Sequence, residues 1–375
     1  MKEYLKFFLD KSFLSALIII FLIEGSFQLG CYKNFLKKNS YASNVTRITD
    51  HALSKKNELD PDILILGTSL AYEGISMRLL NEKLTSLNLK AQTIAIPGSE
   101  LIIQQLALEK ALGEFKNVKY VIHVNEPEMP WTVGYEVSLP TLAMASSFNR
   151  VRALEKFKEH EYTITRVELS HILIRLWAYR HDLADFILNP QKRIKDIGRA
   201  KTVYEQNLYV YENANLESLD LYSFKNLEEA LEVTQNNSLI AQGSSEHHKE
   251  AIYKTCKLAK ETDLTIEETL STRIFKNRIS NFYKEIKKKN IKIVNVFPPI
   301  SNYVTHFNHE KRILFWQKNF KDELGDKIIN LTDIIPQENN ASYFYDMVHP
   351  NQKGMYIFTE KLADALTEYL KEEAK

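Results

Sequence analysis

Five short apolar runs punctuate the chain, at residues 63–66, 93–96, 120–124, 291–297 and 328–331. Each is short and continuous, as expected of a strand buried on both faces. Between them apolar positions recur every three or four residues. Leu101, Leu106, Leu108, Ala111 and Leu112 mark a helix after the second run; Met355, Phe358, Leu362, Ala365, Leu366 and Tyr369 mark a closing helix. Strands that alternate with helices predict an α/β fold, with three α/β/α layers around a central parallel sheet of about five strands. Ligands in such sheets bind beyond the carboxyl ends of the strands.

The pattern is interrupted in two places. At the N-terminus, Lys2, Lys6 and Lys11 precede an apolar stretch from Phe13 to Ile23. With residues 25–29 it approaches the roughly 20 residues needed to span a bilayer, and Glu24 and Gln28 then fall near the far interface. The reading is a signal anchor over residues 1–31, left uncleaved. Cleavage, lipidation at Cys31 after a faint Gln28-Leu29-Gly30 box, and a buried core helix are the alternatives. The lysine bias places the N-terminus inside and the rest outside, in a periplasm or on the outer face of the cytoplasmic membrane. Residues 32–61 are polar and lysine-rich and read as a stalk, closed by Asp60-Pro61-Asp62. The domain proper is residues 62–375.

The second interruption is an insertion at about residues 140–281, charged and poor in glycine. Residues 164–179 carry a helical pattern punctuated by Arg166, Arg175 and Arg180. An ordinary half-buried helix explains it; a substrate-covering cap and a membrane-surface helix are the functional readings.

Composition narrows the function classes. The 375 residues are 44% hydrophobic and 26% charged, an ordinary globular balance. A formal net charge of +1 argues against electrostatic capture of nucleic acid. Cys31 and Cys256 cannot make a disulfide framework or a four-cysteine zinc site. His247, His248, His306 and His309 lack carboxylate or cysteine company at metal-ligand spacing and read as surface histidines. The triplets at Asn44 and Asn330 match glycosylation acceptors, a pattern frequent by chance.

The chemistry-bearing residues gather at the carboxyl ends of the predicted strands. The first strand ends in Gly67-Thr68-Ser69 and the second in Pro97-Gly98-Ser99. The third ends in His123-Val124-Asn125-Glu126, and Asp346-Met347-Val348-His349 follows the fifth. A serine needs a base before it can attack a carbonyl, and the base needs an acid to hold its tautomer. Asp346 and His349, three apart in a loop, allow the carboxylate to bond one imidazole nitrogen while the other faces Ser69. The N–H groups of Ser69 and Gly98 and the side chain of Asn125 are the candidate oxyanion donors. Thr68 and Trp131 are candidate substrate contacts, Trp131 by stacking on a sugar or lining an acyl pocket; core packing is its plainer reading. Gly67-Thr68-Ser69-Leu70-Ala71 approaches the elbow of α/β-hydrolases, but a serine after the first strand and an acid three residues before the histidine argue against that fold.

The order serine, glycine, asparagine, Asp-x-x-His resembles the SGNH hydrolases, also called GDSL esterases, over residues 62–371 without the insertion. Leu70 after the serine, Gly98, Asn125-Glu126 and Asp346 with His349 match the family's blocks. Thr68 stands where the family has an aspartate, and His123 where it has a glycine. A Gly-Thr-Ser block behind a membrane segment looks like the membrane-anchored branch that includes alginate O-acetylation and D-alanylation proteins and a group of spirochaete envelope proteins. The resemblance implies a serine acyl-hydrolase or O-acyltransferase that acts on ester-linked acyl groups of an envelope glycan or lipid. The chemistry requires no metal or nucleotide cofactor. A further reading makes the insertion a docking module for a membrane acyl-donor protein. The competing expectation, raised by Thr68 and His123, is an envelope binding or assembly protein with an inactive site.

Overall fold

The computed structural model describes residues 10–37, 40–204, 208–222, 224–235, 239, 244–261, 264–321 and 324–373. Lys2 and Lys6 of the expected basic flank lie outside the described residues.

Helix α1 (Lys11–Gln28) is followed by α2 (Tyr41–Val45) and, past a wide turn, α3 (His51–Ser54). Then come β1 (Ile63–Leu66), α4 (Ser69–Gly74), α5 (Met77–Leu84), β2 (Ala91–Thr93), α6 (Leu101–Glu114) and β3 (Tyr120–Val124). The insertion contributes α7 (Leu139–Ala145), α8 (Arg150–Glu159), α9 (Arg166–Leu173), α10 (Arg175–Ala178), α11 (Arg180–Leu188), α12 (Pro190–Tyr204), α13 (Leu227–Gln235) and α14 (Glu246–Glu261). The chain closes with α15 (Leu270–Lys287), β4 (Lys292–Phe297), α16 (His309–Asn319), β5 (Lys327–Asn330) and α17 (Gln352–Glu373).

The strands form one five-stranded, all-parallel sheet in the order β2-β1-β3-β4-β5. Every residue of β1 and β2 is buried. For β1 this is why the strand reads as an unbroken apolar run; β2 instead buries Gln92 and Thr93 and carries no such mark. In this order the chain's direction of progress reverses between β1 and β3, and the crevice at such a switch point is where doubly wound folds bind ligands. One core lies on the sheet, packed by Leu64, Ile122, Val294, Phe282, Trp316, Phe358 and Leu366 among others.

Four expectations need correction. The second strand lies at 91–93, and residues 94–96 leave the regular ladder, although Ile94 N–H still bonds Ile65 O (2.9 Å) and Ile96 N–H bonds Gly67 O (3.0 Å). Residues 270–287 belong to the core: Phe275, Ile279, Phe282 and Ile286 of α15 pack on the sheet, so the insertion ends before α15.

The stalk is not a stalk. Ile48 and Ala52 are buried in the main core, and Val45 joins a second cluster with Ile102, Leu106 and Leu142. Polar residues in this segment hide its apolar face, because those apolar residues are few and the helices short. The single helix expected at 164–179 is also broken. Ile174 is extended (φ −116°, ψ 104°) between α9 and α10.

Candidate active site

Strand β1 delivers Ser69. Gly67 follows it, with a φ of +145° that is unfavourable for a residue with a side chain. A Cβ there would stand 2.8 Å from Ala71 Cβ and 2.9 Å from Val124 O, so only glycine allows the chain to turn this tightly past β3. Thr68 then caps α4, its hydroxyl accepting the Leu70 N–H at 3.4 Å. Ser69 is the first residue of α4, so its N–H has no partner four residues back within the helix.

The base arrives on a tight loop between residues 344 and 350. Tyr345 N–H donates to His349 O (2.8 Å), and Phe344 and Pro350 form an antiparallel bridge. Asp346 accepts the N–H groups of Val348 (3.0 Å) and His349 (2.8 Å), so the carboxylate first folds its own loop. The same carboxylate meets His349 Nδ1 at 3.0 Å and 2.9 Å. In the neutral ring, with Nδ1 holding its proton toward Asp346, Nε2 can accept, and the Ser69 hydroxyl lies 2.7 Å from it. Residues 280 positions apart are thus within hydrogen-bond distance.

The electrostatics of the pocket are acidic. Burial works against a charge on His349, but Asp346, with Glu73 and Glu126 behind it, outweighs that and raises its pKa to about 10. Glu126 has its own pKa pushed up to about 7, first by burial and then by Glu128. It accepts a hydrogen bond from the Thr68 hydroxyl at 3.0 Å. Burial likewise raises Glu73, on α4.

The other expected site residues separate into two groups. Gly98 (φ +74°) lies in the turn five residues after β2, and Ser99 Oγ ties that turn to Gly67 O at 3.3 Å. The ring of Tyr41 covers it so closely that a Cβ would meet Tyr41 Cε1 at 2.7 Å.

Asn125 and Trp131 do not face the serine. Asn125 is fully buried; its amide donates to Asn295 Oδ1 at 2.7 Å, in a cluster with Tyr283. His123, two residues earlier, joins the same cluster through Tyr283 OH and Gln104 Oε1, both at 2.7 Å. The alternation of a strand explains this: residues 123 and 125 share the face covered by α6 and α15.

Trp131 is packed rather than presented. Its Nε1 donates to Glu267 O (2.9 Å), its ring lies 4.9 Å from that of Phe315, and the Arg312 guanidinium sits 4.3 Å above it. The histidine reading is corrected too. His248 and His309 are buried, and His248 Nε2 bonds Tyr345 O at 2.5 Å. Among the described residues, no group of three or more His, Cys, Asp or Glu could hold a metal ion.

Several neighbours carried no signal in the sequence. From the expected stalk, Arg47 donates to Tyr72 OH at 3.0 Å and to Asn44 Oδ1 at 3.0 Å, beside Glu73. The late insertion backs the base loop: Met347 N–H meets Thr255 Oγ1 at 3.2 Å, and Leu219 N–H bonds Phe344 O at 3.0 Å. Glu126 was legible only as half of an Asn-Glu pair. Its place after β3, one residue beyond the buried Asn125, was the available clue.

No protein-family model matches the chain, and no curated protein matches it in sequence.

Proposed function

We propose that the protein is a membrane-anchored serine acyl-hydrolase or O-acyltransferase of the SGNH type, facing away from the cytoplasm. The observation that carries this reading is the relay Asp346–His349–Ser69, with 2.9 Å and 2.7 Å between its functional atoms. In the proposed reaction His349 Nε2 takes the proton of Ser69 Oγ as Oγ bonds the ester carbonyl carbon. The Ser69 N–H and the Gly98 N–H are the remaining donors for the oxyanion. His349 returns the proton to the departing alcohol as the carbon–oxygen bond breaks, which leaves an acyl-enzyme. Water or a sugar hydroxyl, deprotonated by His349, then bonds the acyl carbon; the bond to Ser69 Oγ breaks and His349 returns the proton to Oγ. An ester-bearing envelope glycan or lipid fits a domain held at a membrane by α1, which is long and apolar enough to cross one.

A second reading, an inactive binding protein, draws support from Asn125, which is turned away, and from Glu126, an acidic group beside Thr68. Fluorophosphonate labelling separates the two. The enzyme reading expects one covalent adduct, at Ser69, lost in Ser69→Ala and in His349→Ala. Absence of labelling at every pH together with absence of ester turnover favours the binding protein.

A further inference from the structure

Helix α1 and the insertion are joined by reciprocal caps. The Glu24 carboxylate accepts the N–H groups of Arg175 (3.0 Å) and Leu176 (2.8 Å), the first residues of α10. In return the Arg175 guanidinium donates to the carbonyls of Phe27 and Gln28 at the end of α1, both at 2.9 Å. Gln28 Nε2 bonds Leu173 O at 3.2 Å. Glu24 and Gln28, which look out of place in a membrane span, are the residues that clasp α10.

The clasp extends into the following segment. Tyr32 OH donates to Asp182 Oδ1 (2.9 Å), and Asp182 also receives Arg193. Tyr179 closes over Phe27 and Tyr32, with ring centres about 6 Å apart. The last turn of α1 is therefore held rigidly against α10–α12.

This fixes a height. Eighteen residues of helix rise about 27 Å, close to the ~30 Å of a hydrocarbon core, so a spanning α1 has its last turn at the far polar boundary. The helices bonded to that turn sit at the same boundary. They expose apolar side chains there: Ile174, Trp177, Ile187 and Leu188, the last two 66% and 77% exposed. A groove of about 640 Å³ between them is lined by Ser170, Leu176, Leu183 and Ile187. The Arg180 guanidinium lies 4.7 Å over the Trp177 ring, a tryptophan–arginine pairing suited to the headgroup level.

We propose that α9–α11 form a membrane-surface platform, whose face of Ile174, Trp177, Ile187 and Leu188 enters the leaflet from which α1 emerges. The occupant is the headgroup/acyl boundary of that bilayer, entered to about 5–10 Å. Continuity with α1 supports lipid over a protein partner: the face belongs to helices bonded to the end of a helix whose own apolar surface is almost wholly exposed. The platform rests on the membrane-anchor part of the proposed function, and not on the chemistry at Ser69. It holds the domain at one height over the membrane, where a flexible stalk would let it swing.

Trp177 is itself the probe, since Trp131 and Trp316 are buried. The full chain is reconstituted in phosphatidylcholine–phosphatidylglycerol vesicles whose phosphatidylcholine carries bromines at either shallow or deep acyl carbons. The platform expects emission to be quenched most by the shallow bromines, and this quenching to disappear in Trp177→Phe. Protein that floats with the vesicles but keeps an unquenched Trp177, exposed to aqueous acrylamide or cross-linked to a second chain, overturns the platform and leaves the anchor standing. Protein that does not float with vesicles at all removes the anchor and the platform together, while labelling at Ser69 is unaffected.

Discussion

The amide of Asn125, the residue after β3, and the side-chain oxygen of Asn295, on the neighbouring strand β4, are hydrogen-bonded at 2.7 Å in a fully buried cluster. This pair assigns Asn125 to the scaffold. Asn125→Ala leaves Asn295 and Tyr283 short of a partner, at a cost of about 1–3 kcal/mol. The expected result is a lower midpoint in urea unfolding, with kcat of the folded fraction on a short-chain ester unchanged. A loss of kcat of about 10²-fold without loss of stability returns Asn125 to the oxyanion hole.

The pH profile follows from His349. A general base works only when neutral, and the carboxylates around His349 raise its pKa from 6.5 to about 10. The neutral fraction therefore grows as pH rises above the ordinary histidine range, and turnover should rise through that same alkaline window. Asp346→Asn removes the chief raising charge and the partner that fixes the tautomer. The rising limb should move toward acid, and kcat should fall by about 10⁴-fold. A limb that stays where it is in Asp346→Asn would assign the titration to another group.

Glu126 makes a separate prediction, about stability. Its pKa rises on folding from 4.5 to about 7, so the folded state holds a proton that the unfolded state has released. The stability from this group is fully present below pH 4.5 and is lost as pH rises toward 7. Glu126→Gln keeps a group that can hydrogen-bond Thr68 and does not ionise. Its Tm should fall less between pH 4.5 and 7 than that of the wild type. Parallel Tm curves for the two proteins would show that Glu126 ionises in the folded state as readily as in the unfolded chain.

What the sequence by itself determined here is local or periodic. The four apolar residues 63–66 are a buried strand wherever they are placed, because no polar face is available to present to water. Asp346 and His349 could be paired from spacing alone, since three residues in a loop bring a carboxylate to the imidazole beside it. The order of the strand ends placed Ser69 and that pair at one edge of the sheet.

Tertiary structure decided which way each side chain faces and what covers it. Whether Asn125 or Glu126 looks toward the serine depends on where α6 and α15 lie, and the residues after β3 carry no mark of that. Arg47 and Val45 sit in a segment as polar as a linker; Val45 is ordered by the distant helices α6 and α7, and Arg47 by Tyr72 of α4. Glu24 offered the strongest misdirection. An acidic residue in an apolar helix counts against a span until the helix ending at Gln28 meets Arg175, some 150 positions away, and its charge becomes the cap of another helix.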